Sequence, residues 1–160
     1  MLNKQSFINT PMPNIDPNKH DSLERFVLAQ NTCFEEVIKE LGSGRKTSHW
    51  IWYVFPQIVG LGFSEYSTYY GIKDLKEAKA YWANPLLKDR YEEALQLVLQ
   101  ANKTAEAVLG QTDANKLQSS ITLFLEVDPN SALLNEALEK LYFGKQDLRT
   151  LELVNSRWSA

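Results

Sequence analysis

The chain has 160 residues, 44% of them hydrophobic and 23% charged, with 17 Lys and Arg against 20 Asp and Glu and a formal charge of −3. This is the balance of an ordinary folded domain and excludes a fibrous or largely disordered chain. It also argues against a nucleic-acid binder, which needs a basic field.

Residues 1–20 read as a Pro-rich tail. Pro11, Pro13 and Pro17 are interleaved with Asn14, Asp16 and Asn18, and prolines that dense prevent a helix. Phe7 and Ile8 are able to dock on the body. The segment lacks the apolar core of a signal peptide, and no window approaches 18 uninterrupted apolar residues. A cytoplasmic protein without a membrane partner is expected, and residues 21–160 read as a single domain.

From Asp21 the spacing is helical. Asp21 and Glu24 form a capping box, each side chain covering an orphan backbone N–H. Leu23, Phe26, Val27, Gln30, Phe34, Val37, Ile38 and Leu41 recur at three- and four-residue intervals, which predicts one helix of five turns. Gln30 is the only polar member of that face. Cys33, the one cysteine, reads as a buried, inert thiol; a single thiol makes no internal disulfide or metal framework and fits a reducing compartment.

Next comes the densest aromatic stretch, Trp50-Ile51-Trp52-Tyr53-Val54-Phe55. Periodicity cannot separate a short buried helix from a strand here. Thr47 or Ser48 can cap, Pro56 stops the run, and no partner strand is visible, so a short helix is favoured. Gly60-Leu61-Gly62 reads as a tight turn. Ser64 caps a short helix, Asp74 and Glu77 make a second capping box, and Asn84-Pro85 starts a longer helix. Thr104, Asp113, Ser131 and Asp147 open four more, with Gly110 and Gly144 closing two of them. Alternating strand patterns are absent. The fold class is therefore all-α, a multihelical domain of eight or nine short helices packed around the first and the fifth.

The segment from Lys46 to Ser64 is the main candidate for chemistry. Small concave sites combine aromatic walls with a few fixed polar groups, and this segment holds Lys46, Ser48, His49, Trp50, Trp52, Gln57 and Ser64 around the Gly60 turn. His49 is the only histidine outside the tail and is suited to general-base work; the competing reading is a hydrogen-bonded core histidine. Trp50 and Trp52 read either as core or as a stacking wall. Lys116, Ser119 and Ser120 lie on the helix opened by Asp113, where a serine pair points to close packing or to hydroxyl contacts with a ligand. Arg90 suits a surface ion pair or an anion clamp. Metal-ligand spacings and a Gly-x-Ser-x-Gly elbow are both absent, so no metal and no cofactor is expected.

The run Ser22-Leu23-x-Arg25-Phe26-Val27-x-Ala29-Gln30, followed by Gly44-x-Lys46-x-Ser48-His49-Trp50-x-Trp52-Tyr53-x-Phe55-Pro56-Gln57-Ile58-x-Gly60-Leu61-Gly62-x-Ser64, resembles the bacterial domain-of-unknown-function family 1810. Later pieces agree, among them Tyr70-Gly71-Ile72, Lys116-Leu117-x-Ser119-Ser120 and Phe143-Gly144 with Asp147-x-x-Thr150-Leu151. The resemblance covers residues 21–155 and implies a multihelical fold, but no reaction. Members of that family sometimes carry the label calpastatin; such an inhibitor is a disordered repeat chain, which this sequence is not. The order of the later pieces is also similar to the NADAR proteins, multihelical domains linked to ADP-ribose and NAD metabolism, without a motif that carries catalytic residues across.

Two functional expectations follow. In the first, the domain binds a small anionic or nucleotide-like molecule and acts on an N-glycosidic bond of an ADP-ribose-type compound. Lys46 meets phosphate, Trp50 and Trp52 stack a base, His49 or Gln57 positions the reacting group, Ser48 and Ser64 complete the pocket, and Lys116 and Ser119 stand opposite. In the second, the chain is a non-catalytic protein-interaction module whose aromatic stretch is core.

Overall fold

The structure is a computed structural model that describes residue 13 and residues 15–158; the docking of Phe7 and Ile8 lies outside them. Among the described residues the only pairing of strand type is an isolated parallel bridge between Ile58 and Ile72. The rest of the regular structure is helical: a single 3-10 turn at Pro17–Lys19 and ten α-helices. These are α1 (Glu24–Asn31), α2 (Phe34–Gly42), α3 (Ile51–Val54), α4 (Glu65–Tyr69), α5 (Leu75–Ala83), α6 (Pro85–Gln100), α7 (Ala105–Leu109), α8 (Gln111–Val127), α9 (Ala132–Tyr142) and α10 (Leu148–Trp158). None is long and apolar enough to cross a membrane.

Capping chemistry sets most boundaries. Ser64, Asp74, Asn84, Thr104 and Ser131 each accept a hydrogen bond from the backbone N–H three residues on, and Asp147 does the same for Thr150. These are the donors a helix start leaves orphaned.

Three expectations need correction. The long first helix is two helices, which takes the count among the described residues to ten, just above the eight or nine expected. Thr32 and Cys33 donate to carbonyls three residues back, at 3.3 and 3.1 Å, and the Thr32 hydroxyl also returns to the Ala29 carbonyl at 2.7 Å. Backbone captured this way leaves the α-ladder. The Asp21–Glu24 box does not form: Ser22 Oγ receives the Glu24 N–H at 3.0 Å, while Asp21 pairs with Lys73 and His20. Finally, α8 begins at Gln111 behind Gly110, whose φ of 83° both closes α7 and turns the chain. Asp113 is thereby placed inside the first turn of α8, not at its cap.

The centre of the molecule is α8 rather than the first helix. It packs against α5, α7, α9 and α10, while α6 packs against α2, α5 and α9. Ala114, Leu117, Ile121, Leu123, Phe124 and Leu125 of α8 are buried together with Ser119, Ser120 and Thr122. A helix buried around most of its circumference shows no narrow apolar stripe. Phe124 meets Trp82 at 4.9 Å and Tyr91 at 5.3 Å between ring centroids, and Ser120 Oγ lies 2.9 Å from the Tyr91 hydroxyl. Arg25 is buried beside this core. Its guanidinium forks onto both Glu77 oxygens at 2.9 and 3.0 Å and donates to the carbonyls of Ser22, Tyr69 and Gly71. A planar five-donor group is well matched to such a cage.

Candidate functional site

The first half of the aromatic segment is organised around Glu40, in the last turn of α2. One carboxylate oxygen accepts the backbone N–H groups of Thr47 and Ser48 at 2.8 and 3.0 Å and the indole N–H of Trp50 at 3.0 Å. The other accepts the Ser48 hydroxyl at 2.5 Å. Burial alone raises a carboxyl pKa, but these bonds from Ser48, Thr47 and Trp50 outweigh it and hold Glu40 below its ordinary value. Trp50 is buried and meets Phe55 at 6.1 Å, so it has no open face to offer a ligand. Lys46 is enclosed as well. Its ammonium pairs with Asp113 at 2.6 Å, donates to the Ser48 carbonyl at 2.5 Å and lies 4.9 Å from the Trp50 ring.

His49 faces outward between two buried neighbours. Only its backbone carbonyl is engaged, by the Tyr53 hydroxyl at 3.0 Å; the core-histidine reading does not hold. Trp52 is half-buried, stacked on Tyr66 at 5.2 Å, with the Lys116 ammonium 5.8 Å from its ring.

The second half of the segment forms one wall of a surface groove of about 440 Å³. Gln57, Leu61, Gly62, Phe63, Ser64 and Ser67 line that wall, and Thr112, Asn115, Lys116 and Ser119 of α8 line the other. A recess of about 10 Å³ opens beside Trp52, Gln57 and Tyr70, room for about one water. The wall is held close by Gly62, where an added Cβ would stand 2.8 Å from Ser67 Oγ, and by Ser64 Oγ, which meets Ser67 Oγ at 2.8 Å while capping α4.

Of the nine residues singled out in the sequence, the groove gathers Gln57, Ser64, Lys116 and Ser119. Trp52 lines the adjoining recess, whereas Lys46, Ser48, His49 and Trp50 line neither. Ser119 Oγ is already committed to the Asn115 carbonyl at 3.1 Å and to the Asp147 carboxylate at 3.0 Å. By contrast, the carboxamides of Gln57 and Asn115 and the Thr112 hydroxyl have no partner among the described residues. Lys116 is held only by Asp113, at 3.7 Å, and by the Trp52 ring.

The family of proteins of unknown function DUF1810 matches residues 20–154. The chain belongs to this family. Its helical body is also similar to a solved structure, the conserved hypothetical protein Rv1873 from Mycobacterium tuberculosis, with 41% identity, a TM-score of 0.81, and coverage of 87% of this chain and 98% of that one. No curated protein matches. Neither likeness shows the resemblance to the NADAR proteins.

Within this DUF1810 chain, sequence reasoning missed Glu40, Asp113, Thr112 and Asn115. Glu40 carried a readable signal: a glutamate seven residues before Thr47 and ten before Trp50, at the end of an amphipathic helix. Thr112 and Asn115 carried none, because the fold alone brings α8 against the Gly60 turn. Arg90 makes no ion pair among the described residues; it donates to Asn31 and Gln30 and lies over Phe34. Cys33 is half-buried at the α1–α2 break, where burial pushes its thiol up to about 11. A thiol with that pKa stays protonated and unreactive at neutral pH.

Proposed function

We propose that this domain is a binding module whose groove between the Gln57–Ser67 segment and α8 takes a small anion-bearing molecule. The observation that supports this reading is the set of groups lining the groove: one ammonium, two unpaired carboxamides and several hydroxyls, with no carboxylate among them. Lys116 supplies the attraction. Its neighbour Asp113 is already neutralised by Lys46 at 2.6 Å, so little of the Lys116 charge is cancelled. A groove of this size falls within the range of small-molecule sites.

Cleavage or transfer at an N-glycosidic bond requires a group able to take or give a proton within hydrogen-bond reach of the substrate. Among the lining residues only Lys116 exchanges a proton of this kind, and in this reading its ammonium is taken up by the ligand's anionic group and Asp113; with no carboxylate, imidazole or thiol beside it, binding without chemistry is the function proposed. Calorimetric titration with ribose 5-phosphate tests it. Heat of binding in the wild type that disappears in Lys116→Met is expected; titration of Lys116→Met indistinguishable from wild type would overturn it.

A further inference from the structure

We infer that the molecule the groove takes is a polyhydroxylated molecule with a single anionic group, a sugar carrying one phosphate or one carboxylate; the inference rests on the binding reading above. The charge available is a single ammonium. Lys46, the other lysine nearby, is enclosed and held by Asp113 and the Ser48 carbonyl, so a second anionic group, spaced along the ligand from the first, would find no second cation there. This disfavours a pyrophosphate. The uncommitted neutral groups all combine donors with acceptors. The carboxamides of Gln57 and Asn115 each offer two donors and an acceptor, and the Thr112 hydroxyl offers one of each, with no internal bond to break first. Such groups suit a row of ligand hydroxyls, whose own donors and acceptors alternate in the same way.

The aromatic side of the groove points the same way. Neither tryptophan of the segment offers the open ring face that a base stacks on. Trp50 is buried, and Trp52 has Tyr66 stacked against it and Lys116 above the ring. Phe63, 89% exposed, is the one open ring at the lip among the described residues; it can cover the C–H face of a sugar ring held by the polar floor, and whether it stacks a base instead is decided by the adenosine 5′-monophosphate arm of the test.

The test is calorimetric titration of the full chain with ribose 5-phosphate, glucuronate, inorganic phosphate, ribose and adenosine 5′-monophosphate. Ribose 5-phosphate or glucuronate should bind at least about tenfold more tightly than inorganic phosphate and than ribose, the increment of one or two well-made hydrogen bonds. Gln57→Leu should remove that increment while leaving the weak phosphate affinity in place. A phosphorylated sugar alone above the fragments identifies the phosphate form, and glucuronate alone the carboxylate form. Inorganic phosphate binding as tightly as both sugars would overturn the inference and keep the anion site. Adenosine 5′-monophosphate binding about tenfold more tightly than ribose 5-phosphate would overturn it in favour of base recognition. No binding by any of the five would overturn both the inference and the reading beneath it.

Discussion

The two halves of the aromatic segment both carry polar residues in sequence and use them in opposite ways. In the first half, Ser48, Trp50 and the Thr47 backbone all turn inward onto the Glu40 carboxylate, and Lys46 is closed off by Asp113. In the second half, Gln57 and, across from it, Thr112 and Asn115 of α8 leave their polar side chains without partners among the described residues. A polar side chain in an apolar stretch therefore says little until its partner is known. Where the partner is another buried group, the residue stabilises the fold; where there is none, the residue is left for something outside the chain.

Glu40→Ala should break the first half outright. It leaves the N–H groups of Thr47, Ser48 and Trp50 without an acceptor, each such loss costing about 1–3 kcal/mol, so a total of at least about 3 kcal/mol is expected in urea denaturation. A loss below about 1 kcal/mol would mean water replaces the carboxylate and the network is incidental. Glu40→Gln and Ser48→Ala remove one charge or one bond and should each cost about 1–2 kcal/mol.

Acid should act through the same carboxyl. Its folded pKa lies below the ordinary value, so its contribution is fully present above the ordinary glutamate range, about 4, and is lost as pH falls through the lower folded value. The stability gap between wild type and Glu40→Gln should be flat near neutrality and shrink below about pH 4. A gap that widens toward acid would contradict the assignment.

Much of the fold is legible in the sequence because helix starts are local chemistry. Ser64, Asp74, Asn84, Thr104 and Ser131 cap where their spacing says they should. The break at Thr32 and Cys33 is not legible, since α1 and α2 bury the same side of the chain and the apolar spacing runs through it. Arg25 is hidden for another reason: its partners Tyr69, Gly71 and Glu77 lie at least 44 residues away. The groove is legible on one side only. Gln57 and Ser64 belong to a motif that can be read, while the packing of α8 decides which of its residues they face.

The smallest effects should come from the outward-facing positions. His49→Ala removes a side chain that makes no internal bond, and should change stability by under about 0.5 kcal/mol. A larger loss would place His49 in the Glu40 network after all. Gln57→Leu and Lys116→Met should be equally mild in denaturation, with their consequences seen only in titration.

The most direct test of the division is the melting temperature of Glu40→Gln and Lys116→Met, measured side by side with and without ribose 5-phosphate. Glu40→Gln should melt several degrees below wild type, about 2–4 °C for each kcal/mol in a domain of this size, and keep the upward shift that bound ligand gives. Lys116→Met should melt with the wild type and show no shift. The opposite pattern, with Lys116→Met destabilised and Glu40→Gln unshifted by ribose 5-phosphate, would contradict the account.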